Sequence, residues 1–304
     1  MFPLSFNTQC LRNLPLDRAI EETAKAGYEG IDLAYLAGHL HPFDVTRKEL
    51  DELKDLFARL PLKPAALSSG GPLLLGDDPF EPSLISPDRK AREKRIDLIS
   101  AALEMADDLS IPVVQFVSGI RQPGVSAEEA TEMLTEGVRA CLQNSGEAVL
   151  VLEPEAQLPE SMGGGRCFIE TTTQAVPIIE EISSPRFRLN MDITHVQCCE
   201  DDLLLRVADA LPYTRHIHIA DIKGKVHHHE IPGEGDIDLQ SVLEVLKEAN
   251  YEHYLSIELH SHADEWERAL YQGREYMLEL MQTLEALGVA WQLHLCRNSD
   301  RGPI

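Results

Sequence analysis

The chain has 304 residues, 43% of them hydrophobic and 26% charged, enough to bury one barrel-sized core or two small ones. Its formal net charge is −24, from 27 Lys and Arg against 51 Asp and Glu, a balance that repels a phosphate backbone and counts against a nucleic-acid partner. No window approaches the roughly 20 apolar residues that span a bilayer, and Met1 to Asn7 lack a basic segment followed by an apolar run, so a soluble cytoplasmic protein with no membrane partner is expected.

Short runs rich in Val, Ile and Leu recur between longer segments of helical period, the pattern of β/α units around a parallel sheet. Eight strands are predicted: Leu4 to Thr8, Gly30 to Ala34, Lys63 to Ser68, Val113 to Val117, Ala148 to Leu152, Arg188 to Asp192, His216 to Ala220 and Tyr254 to Glu258. Eight units in a chain of this size predict the α/β class and a single (β/α)8 TIM barrel over residues 1–290, with 291–304 as a C-terminal tail of no clear period. Thr46 with Glu49 and Ser126 with Glu129 have capping-box spacing, and Pro87 after Ser86 suits the first turn of a helix. Between the third strand and its helix, Ser69 to Pro87 carries Gly70, Gly71, Pro72, Pro79 and Pro82 and reads as a long loop, expected to act as a lid. The six cysteines, Cys10, Cys141, Cys167, Cys198, Cys199 and Cys296, show no CxxC spacing and are expected to be free thiols.

In such barrels the reacting groups project from the C-terminal ends of the strands. Strand five ends in Glu153, strand six in Asp192 with His195 three residues on, strand seven reads His216, Ile217, His218, Ile219, and strand eight ends in Glu258 followed by His260. Three carboxylates converging in one barrel mouth repel by several kcal/mol at reduced dielectric unless a cation or proton sits among them, so a divalent metal is the economical reading. Three oxygens with one imidazole suit Mn2+, Mg2+, Co2+ or Zn2+ and lack the thiolates of a structural zinc site.

This ordered set, Glu153, Asp192-x-x-His195, His218 and Glu258, with Gly233 to Asp238 (Gly-Glu-Gly-Asp-Ile-Asp) before the last helix, resembles the xylose isomerase-like TIM-barrel superfamily, in particular its sugar phosphate isomerase/epimerase branch. The resemblance implies one divalent ion, Mn2+ first, held by Glu153, Asp192, His218 and Glu258. It implies an isomerase or epimerase of a keto-sugar or polyol in which metal-bound substrate oxygens make an enediolate reachable. Glu153 and Glu258 would divide the proton transfer and His195 would hydrogen-bond the oxygen that gains charge. The same proton abstraction would serve a dehydratase or lyase of the inosose dehydratase kind, and a non-catalytic barrel binding protein is the rival from another class.

Further candidates are graded by position. His229 is expected in the pocket, with His227 and His228 as a surface cluster in the opposing reading, and His216 shares a strand face with His218. Lys223, like Lys225, occupies a loop that could place a cation near substrate oxygens; Arg166, behind Gly163 to Gly165, could reach an anionic group; Trp266 and Phe43 could wall the pocket. The DNA-repair endonuclease branch of the same superfamily needs added histidines on strands three and four, where this chain has Ala66, Leu67, Ser68 and Val114, Gln115, Phe116, Val117. True xylose isomerases use more carboxylates for a second metal, and no second set is read here, so one ion is expected. A small polyhydroxy substrate fits the acidic composition, and a homodimer is the family-based expectation.

Overall fold

The computed structural model describes residues 1–36, 38–69, 73–143, 146–158 and 164–299, with side chains as far as 286. Eight parallel strands close into a barrel in sequence order: β1 (Leu4–Asn7), β2 (Gly30–Tyr35), β3 (Lys63–Ser69), β4 (Val113–Val117), β5 (Val149–Glu153), β6 (Phe187–Asp192), β7 (Thr214–Ile219) and β8 (Leu255–Ile257), with β8 paired back to β1. Helices cover the outside: α1 (Leu16–Lys25), α2 (Arg47–Arg59), α3 (Arg89–Leu109), α4 (Ala127–Cys141), α5 (Thr172–Ile182), α6 (Ile193–Cys199), α7 (Leu203–Ala210), α8 (Leu239–Glu248) and α9 (Trp266–Ser299). The fold is therefore the expected (β/α)8 barrel. The last helix runs past the boundary set at residue 290, and 300–304 lie outside the described residues.

The strands alternate between two environments, as a period of two residues requires. Outward residues such as Phe6, Leu33, Leu67, Phe116, Leu150, Leu189, Ile217 and Ile257 join the helices in one apolar core. Of the inward residues, Ala66, Val113 and Val151 form a small apolar cluster. Next along the strands the interior turns polar: Asp32, Ser68, Gln115, Asn190, His216, His218 and Ser256 are all buried. Register carries this layer around the barrel, with Asp192 beside His218 and His218 beside Ser256.

The caps at Thr46 and Ser126 form complete capping boxes with Glu49 and Glu129, satisfying amides that the first turn leaves open. Pro87 departs from its expected place. The α3 cap is Asp88, whose carboxylate accepts from the Lys90 amide at 3.0 Å, so Pro87 precedes the helix instead of entering its first turn. The free cysteines among the described side chains are Cys10, Cys141, Cys167, Cys198 and Cys199. No helix among the described residues is long and apolar enough to cross a membrane.

The β3–α3 loop lies at the C-terminal face. Gly70, Gly71 and Pro72 fall outside the described residues, but Phe80 is buried against Val117, Leu158 and Cys167 and lines the barrel mouth. Buried Arg95 of α3 holds it there, donating to the carbonyls of Phe80 (2.9 Å) and Pro82 (2.6 Å). Gly119, after β4, has φ +93°, and a Cβ there would stand 2.2 Å from the Ser83 Cβ, so the loop needs a glycine beneath it.

Candidate active site

The four strand-end residues converge. Glu153, Asp192, His218 and Glu258 are all buried, and one donor atom from each lies within 4.8 Å of the others. His218 Nδ1 is the hub, 3.0 Å from Glu153 Oε1, 3.4 Å from Glu258 Oε2 and 3.2 Å from Asn190 Nδ2. Its other nitrogen, Nε2, donates to Asp32 Oδ2 at 3.0 Å. Burial pushes the His218 imidazole toward its neutral form, but the carboxylates of Glu258, Glu153 and Asp32 outweigh it and hold the pKa well above the ordinary value. The geometry thus calls for positive charge at Nδ1.

Asp192 divides its two oxygens. Oδ1 accepts from the Thr194 amide (2.6 Å), the Thr194 hydroxyl (2.5 Å) and the His195 amide (3.1 Å), which pins the carboxylate at the start of α6. Oδ2 is buried without any hydrogen-bond partner. A buried anionic oxygen left bare costs several kcal/mol unless a cation meets it, so the donor set fits a divalent ion. Glu153 is fixed from β4, where Gln115 Nε2 donates to its Oε2. Burial pushes the Glu153 carboxyl up to about 7, against the pull of His218.

Asp32 was not singled out in the sequence, although it anchors the interior. Its Oδ2 accepts from His216 Nε2 (3.2 Å), His218 Nε2 and Ser256 Oγ (3.0 Å), and its Oδ1 accepts from Ser68 Oγ (2.6 Å). The available signal was an acid at the centre of an apolar run, Ile31, Asp32, Leu33. His216, expected on the face of His218, bonds to this same carboxylate.

Other candidates separate sharply. His195 and His229 are buried in the mouth, and His227, half-buried, joins them instead of lying on the surface; its Nε2 is 3.1 Å from His195 Nε2. Burial outweighs neighbouring carboxylates at His195 and His227 and pushes both imidazoles down to about 4. His195 Nδ1 donates to the Pro154 carbonyl at 3.0 Å, so the neutral ring offers Nε2 as an acceptor. Glu155, also missed, is buried in the mouth, where burial and the nearby Glu153 and Glu258 raise its carboxyl pKa well above the ordinary value.

Lys223 and Arg166 are placed elsewhere. Lys223 is 62% exposed and pairs with Glu230 at 3.3 Å. Arg166, 61% exposed, donates to Glu170 at 2.8 Å and lines a cavity beside α5 and α6 with Arg121 and Lys225, which adjoins the mouth at His227. Phe43 is exposed and Trp266 packs on the outer core, so Phe80 is the aromatic ring at the mouth.

A family model described as xylose isomerase-like TIM barrel matches residues 20–280. The chain is 23% identical over 256 residues to fructoselysine 3-epimerase of Escherichia coli O157:H7, covering 82% of this chain and 86% of that protein. It is 26% identical over 254 residues to 2-oxo-tetronate isomerase of Haemophilus influenzae, covering 83% and 90%. Its backbone superposes on the crystal structure of IOLI protein with a binding zinc atom at a TM-score of 0.74, with 21% identity over 93% of this chain and 99% of that one.

Proposed function

This chain belongs to the xylose isomerase-like TIM-barrel family, and on that premise we propose that it is a metal-dependent isomerase or epimerase of a keto-sugar or polyol, working through an enediolate. Two carboxylates meeting one imidazole nitrogen, Glu153 and Glu258 at 3.0 and 3.4 Å from His218 Nδ1, carry the reading. The relatives that match most of its length include a fructoselysine 3-epimerase and a 2-oxo-tetronate isomerase, which supports the reading.

Glu153, Asp192, His218 and Glu258 would hold the ion, and their oxygen majority favours Mn2+ over softer alternatives. When bound, a divalent ion supplies Lewis-acid polarisation of adjacent carbonyl and hydroxyl oxygens, which acidifies the C–H between them. The remaining work belongs to the chain. Glu153 and Glu258 remove and return the carbon-bound proton, each able to bind the ion through one oxygen and act as base with the other. Gln115 fixes the Glu153 carboxylate, and Asp32 holds the His218 ring so that Nδ1 faces the mouth. Phe80 and its loop cover the same mouth, excluding water that would quench an enediolate indiscriminately.

Glu153→Gln and Glu258→Gln test the division of labour. Each keeps one metal-binding oxygen while removing the basic group, so turnover of a ketose or tetronate substrate should fall by about 10² or more with the ion retained. In a two-base epimerisation, one of the variants should still exchange the substrate C–H with solvent deuterium from one epimer. Near-normal turnover in both variants, or no C–H exchange by the Mn2+-loaded parent with any ketose of a broad panel, overturns the proposal.

A further inference from the structure

We propose that the cavity beside α5 and α6 is a subsite for an oxyanion, phosphoryl or carboxylate, carried at the far end of the substrate, with Arg121, Arg166 and Lys225 as its donors. Placing that anion on a substrate rests on the isomerase reading; the anion site itself does not.

The loops that carry the two arginines are built as one piece. After β4, Ile120 bridges Cys167 in antiparallel sense, the Arg121 amide donates to the Arg166 carbonyl at 2.9 Å, and the Phe168 amide donates to the Gly119 carbonyl at 2.9 Å. This short ribbon is tied to the ends of β4 and β5, because the Ile169 amide donates to Ser118 Oγ at 3.0 Å and the Glu155 amide to the Ile169 carbonyl at 3.0 Å. Arg121 and Arg166 therefore stand side by side before any ligand arrives, which lowers the cost of ordering them.

Like charges opposite one another in a ribbon repel. Buried Glu170 lies between them, its Oε2 accepting from Arg121 Nη2 at 2.6 Å and its Oε1 from Arg166 Nε at 2.8 Å. One carboxylate balances one of the two cations, so a positive charge is left over. Lys225 brings another from the loop after β7, its Nζ donating to the Glu200 carbonyl at 3.3 Å and lying 3.7 Å from the exposed Asp201. Among the described residues Glu170 is the single carboxylate lining the cavity, against three cations, in a chain of net charge −24.

Donors remain for a ligand. Arg121 Nε donates to the Cys167 carbonyl at 3.2 Å, but its Nη1 and both terminal nitrogens of Arg166 have no partner among the described residues. A guanidinium offers its N–H groups as a planar fork that matches two oxygens of a carboxylate or phosphoryl group. The barrel mouth encloses about 40 Å3, room for very few waters, so a polyhydroxy substrate must extend out of it. The adjoining cavity is about 660 Å3, the size of a small-molecule site, and His227 is the wall common to both. A substrate with its reacting carbons at Glu153 and Glu258 can thus direct its far end toward the arginines.

Inorganic phosphate titrated calorimetrically into the chelator-treated chain should bind at one equivalent. Arg121→Gln and Arg166→Gln should each weaken it about tenfold or more, the scale of a hydrogen bond between charged groups. Arg166→Lys, which keeps the charge without the fork, should recover part of the loss, and circular dichroism checks the fold of each variant. The Mn2+-loaded parent should turn over a ketopentose 5-phosphate or a ketohexuronate with a higher kcat/KM than the neutral ketopentose. That ratio should fall about tenfold or more in both Gln variants, through KM, as expected for lost binding at a group remote from the chemistry. No phosphate binding by the parent, or binding that both Gln variants leave unchanged, overturns the subsite. Phosphate binding lost in the variants, beside equal turnover of charged and neutral ketoses, makes the ligand a free anion and overturns its placement on the substrate. Phosphate binding lost in the variants, with no ketose turned over by the parent, supports the anion site and removes the isomerase reading.

Discussion

Asp32 should control the proposed metal centre without touching the ion. Its Oδ2 takes hydrogen bonds from His216, His218 and Ser256, and its Oδ1 takes one from Ser68. In Asp32→Asn the amide nitrogen belongs on the Ser68 side, because a hydroxyl can turn to accept while the two imidazole N–H groups cannot. The new carbonyl oxygen therefore keeps the histidines, and His218 keeps Nδ1 free. What is lost is charge: a hydrogen bond to an ionised group is worth about 1.5–3 kcal/mol against about 0.5–1.5 for a neutral one. About 1 kcal/mol less on the His218 ring corresponds to roughly fivefold weaker metal binding. Asp32→Ala is harsher. It leaves two buried imidazole N–H groups without an acceptor, at about 1–3 kcal/mol each, and frees the His218 ring to take the tautomer that cannot bind metal. Metal affinity should then fall by about 100-fold, the upper range for losing a partner behind a ligand. Competition of Mn2+ or Zn2+ against a fluorescent chelator measures both variants, with thermal unfolding of the metal-free proteins as the control for stability. An Asp32→Ala protein that stays folded and binds metal within twofold of the parent refutes the reasoning.

Two further outcomes follow from the buried charges and the loop seat. Metal-free protein should lose stability as pH rises above about 6.5. Glu153, raised to about 7, and Glu155, raised well above the ordinary carboxyl range by burial, hold protons that the unfolded chain has already lost, an advantage that shrinks as pH rises through their folded pKa values. His195 and His227, pushed down to about 4, act in the opposite sense only below about 6.5, where the unfolded chain binds protons that the folded one does not. Denaturant titrations at pH 6.5, 7.5 and 8.5 should show the decline, with a shallower slope in Glu155→Gln; a flat or rising profile contradicts the assignment. Gly119→Ala places a Cβ against Ser83 at a φ of +93°, which should cost about 3 kcal/mol through strain and overpacking and release the loop over the mouth. Limited proteolysis should cut that variant within 73–88 before the barrel unfolds, and a parent-like digestion pattern would count against the loop's seat.

Much of this protein is local information carried along the chain. A strand exposes alternate residues to opposite faces whatever it pairs with, so the eight runs and the acids at their ends, Glu153, Asp192 and Glu258, could be read from spacing alone. The caps at Thr46 and Ser126 are equally local, each a side chain reaching an amide three residues on. Pro87 missed by two residues because Asp88 offers the better cap.

Barrel closure decided the rest, because it joins residues whose separation no local period encodes. Asp32 lies 186 residues from His218 and acquires its role only when β2 and β7 face each other across the interior. Gln115 read as a missing histidine, yet from β4 it holds the Glu153 carboxylate. Whether His227 lay in a surface cluster was left open by the sequence; the bridge between Asp221 and Glu230 folds its loop back and His227 comes to His195. Lys223 and Arg166, in loops of similar composition, are turned to Glu230 and Glu170 instead. Where a loop delivers its side chains depends on long-range packing, so the strand ends were legible and the histidines and cations of the loops were settled only by the tertiary structure.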